Sequence, residues 1–119
     1  MKTKNTTSNR QWWLKEITCL ILKHLSDSNL TNALLAEKLS VSERQFYRMV
    51  KNLTGMSPNL YVRHIRLQKA YQFLQSGEYR IVKEVAAKVG FQKAEYFTHL
   101  FKSTFGQTPF EVLQEKGIK

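Results

Sequence analysis

The chain has 119 residues, a mass of 14.0 kDa and a formal net charge of +10. That length fits one domain or two very small ones, and the charge points to a polyanionic partner, either nucleic acid or an anionic membrane surface. Hydrophobic residues make up 42%, enough for a packed core, which excludes wholesale disorder.

Residues 1–8 read as a loose polar lead-in without the apolar stretch of a signal peptide. From Asn9 the pattern turns helical. Trp13, Ile17, Leu20, Ile21 and His24 recur on one helical face, which Trp12, Leu14 and Leu22 are expected to broaden. Cys19 sits beside Leu20 and Ile21 and reads as a small buried hydrophobe, and His24 as a packed core histidine. Asp27-Ser28-Asn29 breaks this helix. Thr31 is a fair N-cap for a second helix through Leu39, with Leu35, Ala36 and Leu39 inward.

After the turn Ser40-Val41, Ser42-Glu43-Arg44-Gln45 reads as a capping box. The helix it opens runs to about Leu53 and ends at Thr54-Gly55. Ser57-Pro58 starts a long helix with Pro at its first position, stopping near Gly77. Arg80 to Val89 is a further short helix and Gly90-Phe91-Gln92 a turn. Lys93 to Thr104 is helical, and Gly106 ends it. Thr108-Pro109 opens a last helix to about Lys116. No stretch alternates with period two for long, so the expected fold is all-α with about seven helices.

The charge is uneven along the chain. Residues 41–69 carry six basic and one acidic group, and residues 80–102 five basic and two acidic. Residues 70–79 and 103–119 are near neutral. Lysines solvating helix faces would give some such excess; what separates the readings is the spacing.

The chain contains itself twice. Ala36 matches Ala86, Leu39 matches Val89, and Ser40-Val41 matches Gly90-Phe91. With one extra residue in the second copy, Phe46 matches Phe97, Met49 Leu100, Val50 Phe101 and Lys51 Lys102. Gly55-Met56-Ser57-Pro58 matches Gly106-Gln107-Thr108-Pro109. Each copy is a short helix, a tight turn and a second helix, the shape of a helix-turn-helix. In the first copy Phe46, Met49, Val50 and Leu53 form the inward stripe, with Arg44, Tyr47, Arg48 and Lys51 opposite. In the second, Phe97, Leu100 and Phe101 face in, with Glu95, Thr98, His99 and Lys102 outward. These types suit a major groove: Arg pairs with guanine O6 and N7, Glu accepts from a cytosine amino group, and Tyr, Thr and His take polar or thymine-methyl contacts. Lys51 and Lys102 fit both a phosphate contact and a complement to the helix dipole. Ser42 and Lys93, at the mouths of the two outer helices, join them as candidate backbone contacts. The intervening segment, residues 58–75, spans about 27 Å as helix, close to the ~34 Å between successive major grooves on one DNA face.

Taken together, these residues resemble the C-terminal DNA-binding domain of AraC-type transcription regulators. The resemblance runs over about residues 12–114. It rests on Leu35-Ala36 before Val41-Ser42, Phe46 to Lys51, Thr54-Gly55-Met56-Ser57-Pro58, Tyr61 to Leu67, Val85 to Phe91, Tyr96 to Lys102 and Gly106-Gln107-Thr108-Pro109. It implies seven helices, two helix-turn-helix subdomains over residues 9–56 and 78–119, and a linking helix over residues 57–77. It further implies sequence-specific binding of double-stranded promoter DNA and contact with RNA polymerase. Its base-reading positions fall on Arg44, Gln45, Tyr47 and Arg48, and on Ala94, Glu95, Thr98 and His99. Three features depart from the family pattern. An Arg commonly stands at His99, a Tyr-Arg pair stands at Val112-Leu113, and Ala94 offers little hydrogen bonding. The second half is therefore expected to read DNA weakly, or to read shape more than bases. Residues 44–67 look like the output domains of hybrid two-component regulators. Most relatives carry an effector or sensor domain ahead of this one, and nothing here is large enough for it. The chain is thus either a short family member or a C-terminal part.

Other classes fit less well. His24, His64 and His99 are scattered, with no zinc-protease, phosphate-loop or dinucleotide fingerprint, so no enzyme, metal or cofactor is expected. No unbroken apolar run is longer than Cys19 to Leu22, far short of the ~20 residues a membrane span needs. A lone cysteine builds no disulfide framework, which fits a reducing cytoplasm. A non-specific nucleic-acid binder and a protein-interaction module are the rival readings. Arg63 and Arg66 fit both DNA-backbone contacts and ion pairs within the domain.

Overall fold

The structure is a computed structural model that describes residues 6–118, with side chains described for residues 9–115. Seven helices and no strand are present among the described residues. They are α1 (Thr6–Lys23), α2 (Asn32–Lys38), α3 (Glu43–Thr54), α4 (Pro58–Ser76), α5 (Val82–Lys88), α6 (Ala94–Phe105) and α7 (Pro109–Ile118). The all-α expectation holds, and each expected helix is found within two or three residues of its expected ends. α1 begins at Thr6, inside the stretch read as a lead-in; residues 1–5 of that stretch lie outside the described residues.

The helix ends follow from local chemistry. The Thr31 side chain accepts from the Leu34 N–H at 3.1 Å and caps α2. At α3, the Ser42 hydroxyl accepts from the Gln45 N–H and the Gln45 Oε1 accepts from the Ser42 N–H, both at 3.0 Å, which is the expected capping box. Gly55 and Gly106 close α3 and α6 in the left-handed conformation, at φ 78° and 77°. A second reciprocal box, not expected from the sequence, opens α7. Thr108 N–H donates to Glu111 Oε1 at 2.8 Å, and Glu111 N–H donates to Thr108 Oγ1 at 3.1 Å. The Thr108 backbone donor holds the Glu111 carboxyl below the usual carboxylate range.

The chain divides into two compact units. The first takes α1, α2, α3 and α4 as far as Ile65; the second takes Leu25–Ser28, α4 from Arg66 onward, and α5 to α7. Ile17, Ile21, Leu35, Ala36, Phe46 and Val50 bury almost completely in the first unit. Fully burying a side chain of the size of Phe46 contributes about 2–3 kcal/mol. In the second, Leu74, Val85, Val89, Phe97 and Phe101 have no more than 0% exposure. A run of rings backs this core: Phe91 to Phe97 at 5.2 Å, Phe97 to Phe101 at 5.6 Å, Phe101 to Phe105 at 4.6 Å, with Tyr71 stacked on Phe101 at 5.9 Å. Offset and tilted pairs of this kind add to simple area burial.

The inward face of α1 is narrower than its apolar content implied. Ile17 and Ile21 are buried, but Trp12 is 53% exposed, Leu22 41% exposed, and Cys19 is exposed. At about 100° per residue, Cys19 stands about 160° from both Ile17 and Ile21, on the far side of the helix. Adjacent apolar letters therefore do not share a face. His24 is half-buried rather than packed in the core, because it lies just past the last residue of α1 in a turn.

Candidate nucleic-acid interface

Each unit builds a helix-turn-helix by the same backbone device. In the first, Val41 N–H donates to Ala36 carbonyl at 3.0 Å and Ser40 N–H to Glu37 carbonyl at 3.1 Å. In the second, Phe91 N–H donates to Ala86 carbonyl at 2.9 Å and Gly90 N–H to Ala87 carbonyl at 3.1 Å. This pairing is a Schellman ending, which needs a left-handed residue just after the helix. Gly90 supplies it at φ 94°. Ser40 supplies it at φ 60°, although it is not glycine. The sequence repeat is thus a repeat of backbone geometry.

The two outer helices are not equal. On α3, Phe46 and Val50 are buried, while Arg44, Gln45, Tyr47, Arg48 and Lys51 are exposed. Tyr47 is 48% exposed. Gln45 stands in the exposed set, with its Oε1 accepting in the capping box and its amide nitrogen carrying two donors. Ser42 is exposed, and its hydroxyl is engaged in the same box. On α6, Phe97 and Phe101 are buried, while Glu95, His99 and Lys102 are exposed. Thr98 and Ala94 are only half-exposed. Lys93 is exposed and occupies the N-cap position of α6 without a side-chain cap. The structure therefore gathers Arg44, Tyr47, Arg48 and Lys51 on one open face of α3, and Glu95, His99 and Lys102 on one open face of α6.

One exposed residue of α6 escaped the sequence reading. Tyr96 is 51% exposed, its ring edge-on to Phe91 at 6.2 Å. The repeat register held the signal: with Phe46 matched to Phe97, Tyr96 stands where Gln45 stands in the first copy.

Arg66 resolves to a role inside the second unit. Its Nη2 donates to the Asp27 carbonyl at 2.9 Å and its Nη1 to the Gly90 carbonyl at 3.3 Å. Burial pushes the guanidinium below its ordinary value, and the nearby Asp27 charge opposes that shift. Alongside it, Gln92 Nε2 donates to Ser28 Oγ at 3.1 Å. Together these bonds tie the Leu25–Ser28 segment to the turn that leads into α6.

Among the described residues, no helix is long and apolar enough to cross a membrane, and no group of three or more metal-binding side chains is present. A family model described as a helix-turn-helix domain matches residues 35–115, from α2 through α7. The solved C-terminal domain of AraT, a response regulator from Geobacillus stearothermophilus, is 34% identical with a TM-score of 0.75, covering 85% of this chain and 83% of that one. The chain belongs to the AraC-type helix-turn-helix family.

Relatives of this AraC-type domain are a transcriptional activator and a DNA-binding domain. The transcriptional activator RhaS of Salmonella schwarzengrund is 28% identical over 107 residues, 90% of this chain. The DNA-binding domain of AdpA, a global transcriptional factor solved in complex with a target DNA, is 27% identical with a TM-score of 0.76, covering 86% of this chain and 90% of that one. The chain spans 38% of the length of that RhaS protein.

Proposed function

We propose that this AraC-type domain reads promoter DNA through α3 and α6, each placed in a major groove, with the two grooves adjacent. The observation that carries this is the pair of open helix faces at matched positions of a duplicated helix-turn-helix. The AdpA domain, of the same fold and solved in complex with a target DNA, supports duplex DNA as the partner.

In this reading Arg44 and Arg48 give bidentate contacts to guanine, and Tyr47 packs on a thymine methyl or a phosphate. Gln45, oriented by the bond from the Ser42 N–H to its oxygen, offers its amide nitrogen as a donor. That donor suits a purine N7 or a thymine O4. On α6, Glu95 accepts from a cytosine amino group and His99 and Thr98 add weaker discrimination. Ser42, Lys51, Lys93 and Lys102 serve the phosphate backbone, which supplies affinity and salt dependence. Residues 9–56 and 78–119 act as the two reading subdomains and residues 57–77 as the link. RNA polymerase and an effector or sensor domain carried outside this stretch complete the regulator, which works in the cytoplasm. The likeness to a response regulator's C-terminal domain supports an output role in two-component signalling.

Selection of bound duplexes from a random pool tests this reading directly. Two enriched boxes about one helical turn apart are the expected result. One box restricts base reading to α3, and no enrichment leaves a non-specific binder driven by charge alone.

A further inference from the structure

We propose that a cleft between α1 and α3 is a binding site for a small aromatic carboxylate, gripped by Arg10 and Arg48 over a floor of Trp13, Met49 and Leu53. The cleft lies wholly within the first unit and has a volume of about 440 Å³. That is the size of small-molecule sites, which run from about 300 to 1,000 Å³. Trp13, Met49 and Leu53 are half-buried and give it an apolar floor. An indole and a thioether suit the face and edge of an aromatic ring.

Two cations line the cleft, and one of them is held in place. Arg10 and Arg48 both line the cleft, and its described lining contains no carboxylate. Arg10 Nη2 donates to the Asn52 carbonyl at 3.0 Å. Asn52 lies in the last turn of α3, where carbonyls lack a helical partner and the helix dipole is negative. The tie therefore satisfies an orphan carbonyl and holds Arg10, a lining residue of the cleft, against the end of α3, with further N–H groups left to donate. A planar carboxylate matches a guanidinium fork. A DNA phosphate would answer the two cations but leave the floor uncovered, so the arrangement calls for an anion attached to a ring.

Arg48 gives this site a consequence. On the reading of Arg48 as a base-reading residue, ligand and DNA compete for one guanidinium, and occupancy of the cleft lowers affinity for the operator.

The probe is 2-naphthoate, titrated into the isotopically labelled chain without DNA and followed by backbone amide shifts. Saturable shifts confined to Arg10, Trp13, Met49 and Asn52 and their neighbours are expected. The neutral isostere 2-naphthylmethanol is expected to bind at least about tenfold more weakly, since it cannot form the charge-assisted pair. Arg10→Gln, and separately Asn52→Asp at an exposed position of the rim, are each expected to weaken naphthoate by about tenfold with the remaining spectrum unchanged. Shifts that do not saturate, or equal binding of the neutral isostere or by both variants, overturn the site. Because the titration holds no DNA, its outcome is independent of the DNA reading. A gel-shift arm then uses saturating naphthoate. Loss of affinity for a selected duplex supports the competition, and unchanged affinity with the cleft occupied overturns it.

Discussion

The Arg66 guanidinium donates to the Gly90 carbonyl at 3.3 Å, and a side chain on Gly90 would stand 2.8 Å from the Cζ of that same guanidinium. The bond and the close approach are one feature, since only a residue without Cβ lets Arg66 come so near. A Cβ there would also run into the Leu25 backbone carbonyl, and Gly90 holds φ 94°. Gly90→Ala is thus expected to cost about 3 kcal/mol or more, from left-handed strain together with a clash against backbone. Chemical denaturation of the variant beside the parent chain checks this. A loss below about 1 kcal/mol would show that the turn relaxes freely.

Ser40 occupies the same position in the first turn under the opposite constraint. It holds φ 60° with a side chain present. Ser40→Gly is expected to stabilise the chain by about 0.5–1 kcal/mol, because a glycine at that position removes the left-handed penalty. The melting temperature should rise by a few degrees. A fall would mean that the added freedom of the unfolded chain outweighs the strain.

The α7 box carries a pH signature. Glu111 sits below the usual carboxylate range chiefly through the Thr108 backbone donor. A depressed carboxylate contributes stability that is present above its unfolded value of about 4.3 and is lost as pH falls through its lower folded value. Protection of the first-turn amides of α7 against hydrogen exchange is accordingly expected to drop in mild acid. In Glu111→Gln, which keeps an acceptor but cannot titrate, that drop should disappear. An identical acid response in both chains would remove the role given to Glu111.

Arg48 stands on the open face of α3, one turn beyond Arg44. Arg48→Ala is expected to lower affinity for a selected duplex by about 1–3 kcal/mol and to relax preference at one base position. Lys51→Ala should instead weaken all duplexes about equally and reduce the salt slope by about one. Full discrimination by Arg48→Ala on the selected duplex would rule out base reading by that residue.

What the sequence made legible was local. The Ser42–Gln45 box, the Thr31 cap, Pro58 at a helix start and the glycines at 55 and 106 are signals spanning four residues or fewer, and the structure realises each of them. The duplication was legible because matched backbone turns demand matched residues. The Thr108–Glu111 box has the same four-residue form, with Pro109 marking the same helix start. Contacts over long separations were not legible. Arg66 reaches Asp27 across 39 positions and Gly90 across 24, and no periodicity encodes a hydrogen bond to a carbonyl. For the same reason the Leu25–Ser28 segment read only as a helix break, whereas it packs with the second unit. On α1, Trp12, Cys19 and Leu22 are apolar in type but exposed, since residue type alone carries no angular position. In the site itself, residue types and faces were readable, and the box already implied the engagement of the Gln45 oxygen.

The central claim is that a few side chains on α3 and α6 select sequence while the surrounding charge supplies affinity. The most direct test is the affinity of this chain for its selected duplex and for a scrambled duplex of equal length, measured at one near-physiological salt concentration. The account expects a ratio of about 10³ or more. Equal affinity for the two duplexes, with only a shared steep dependence on salt, would contradict it.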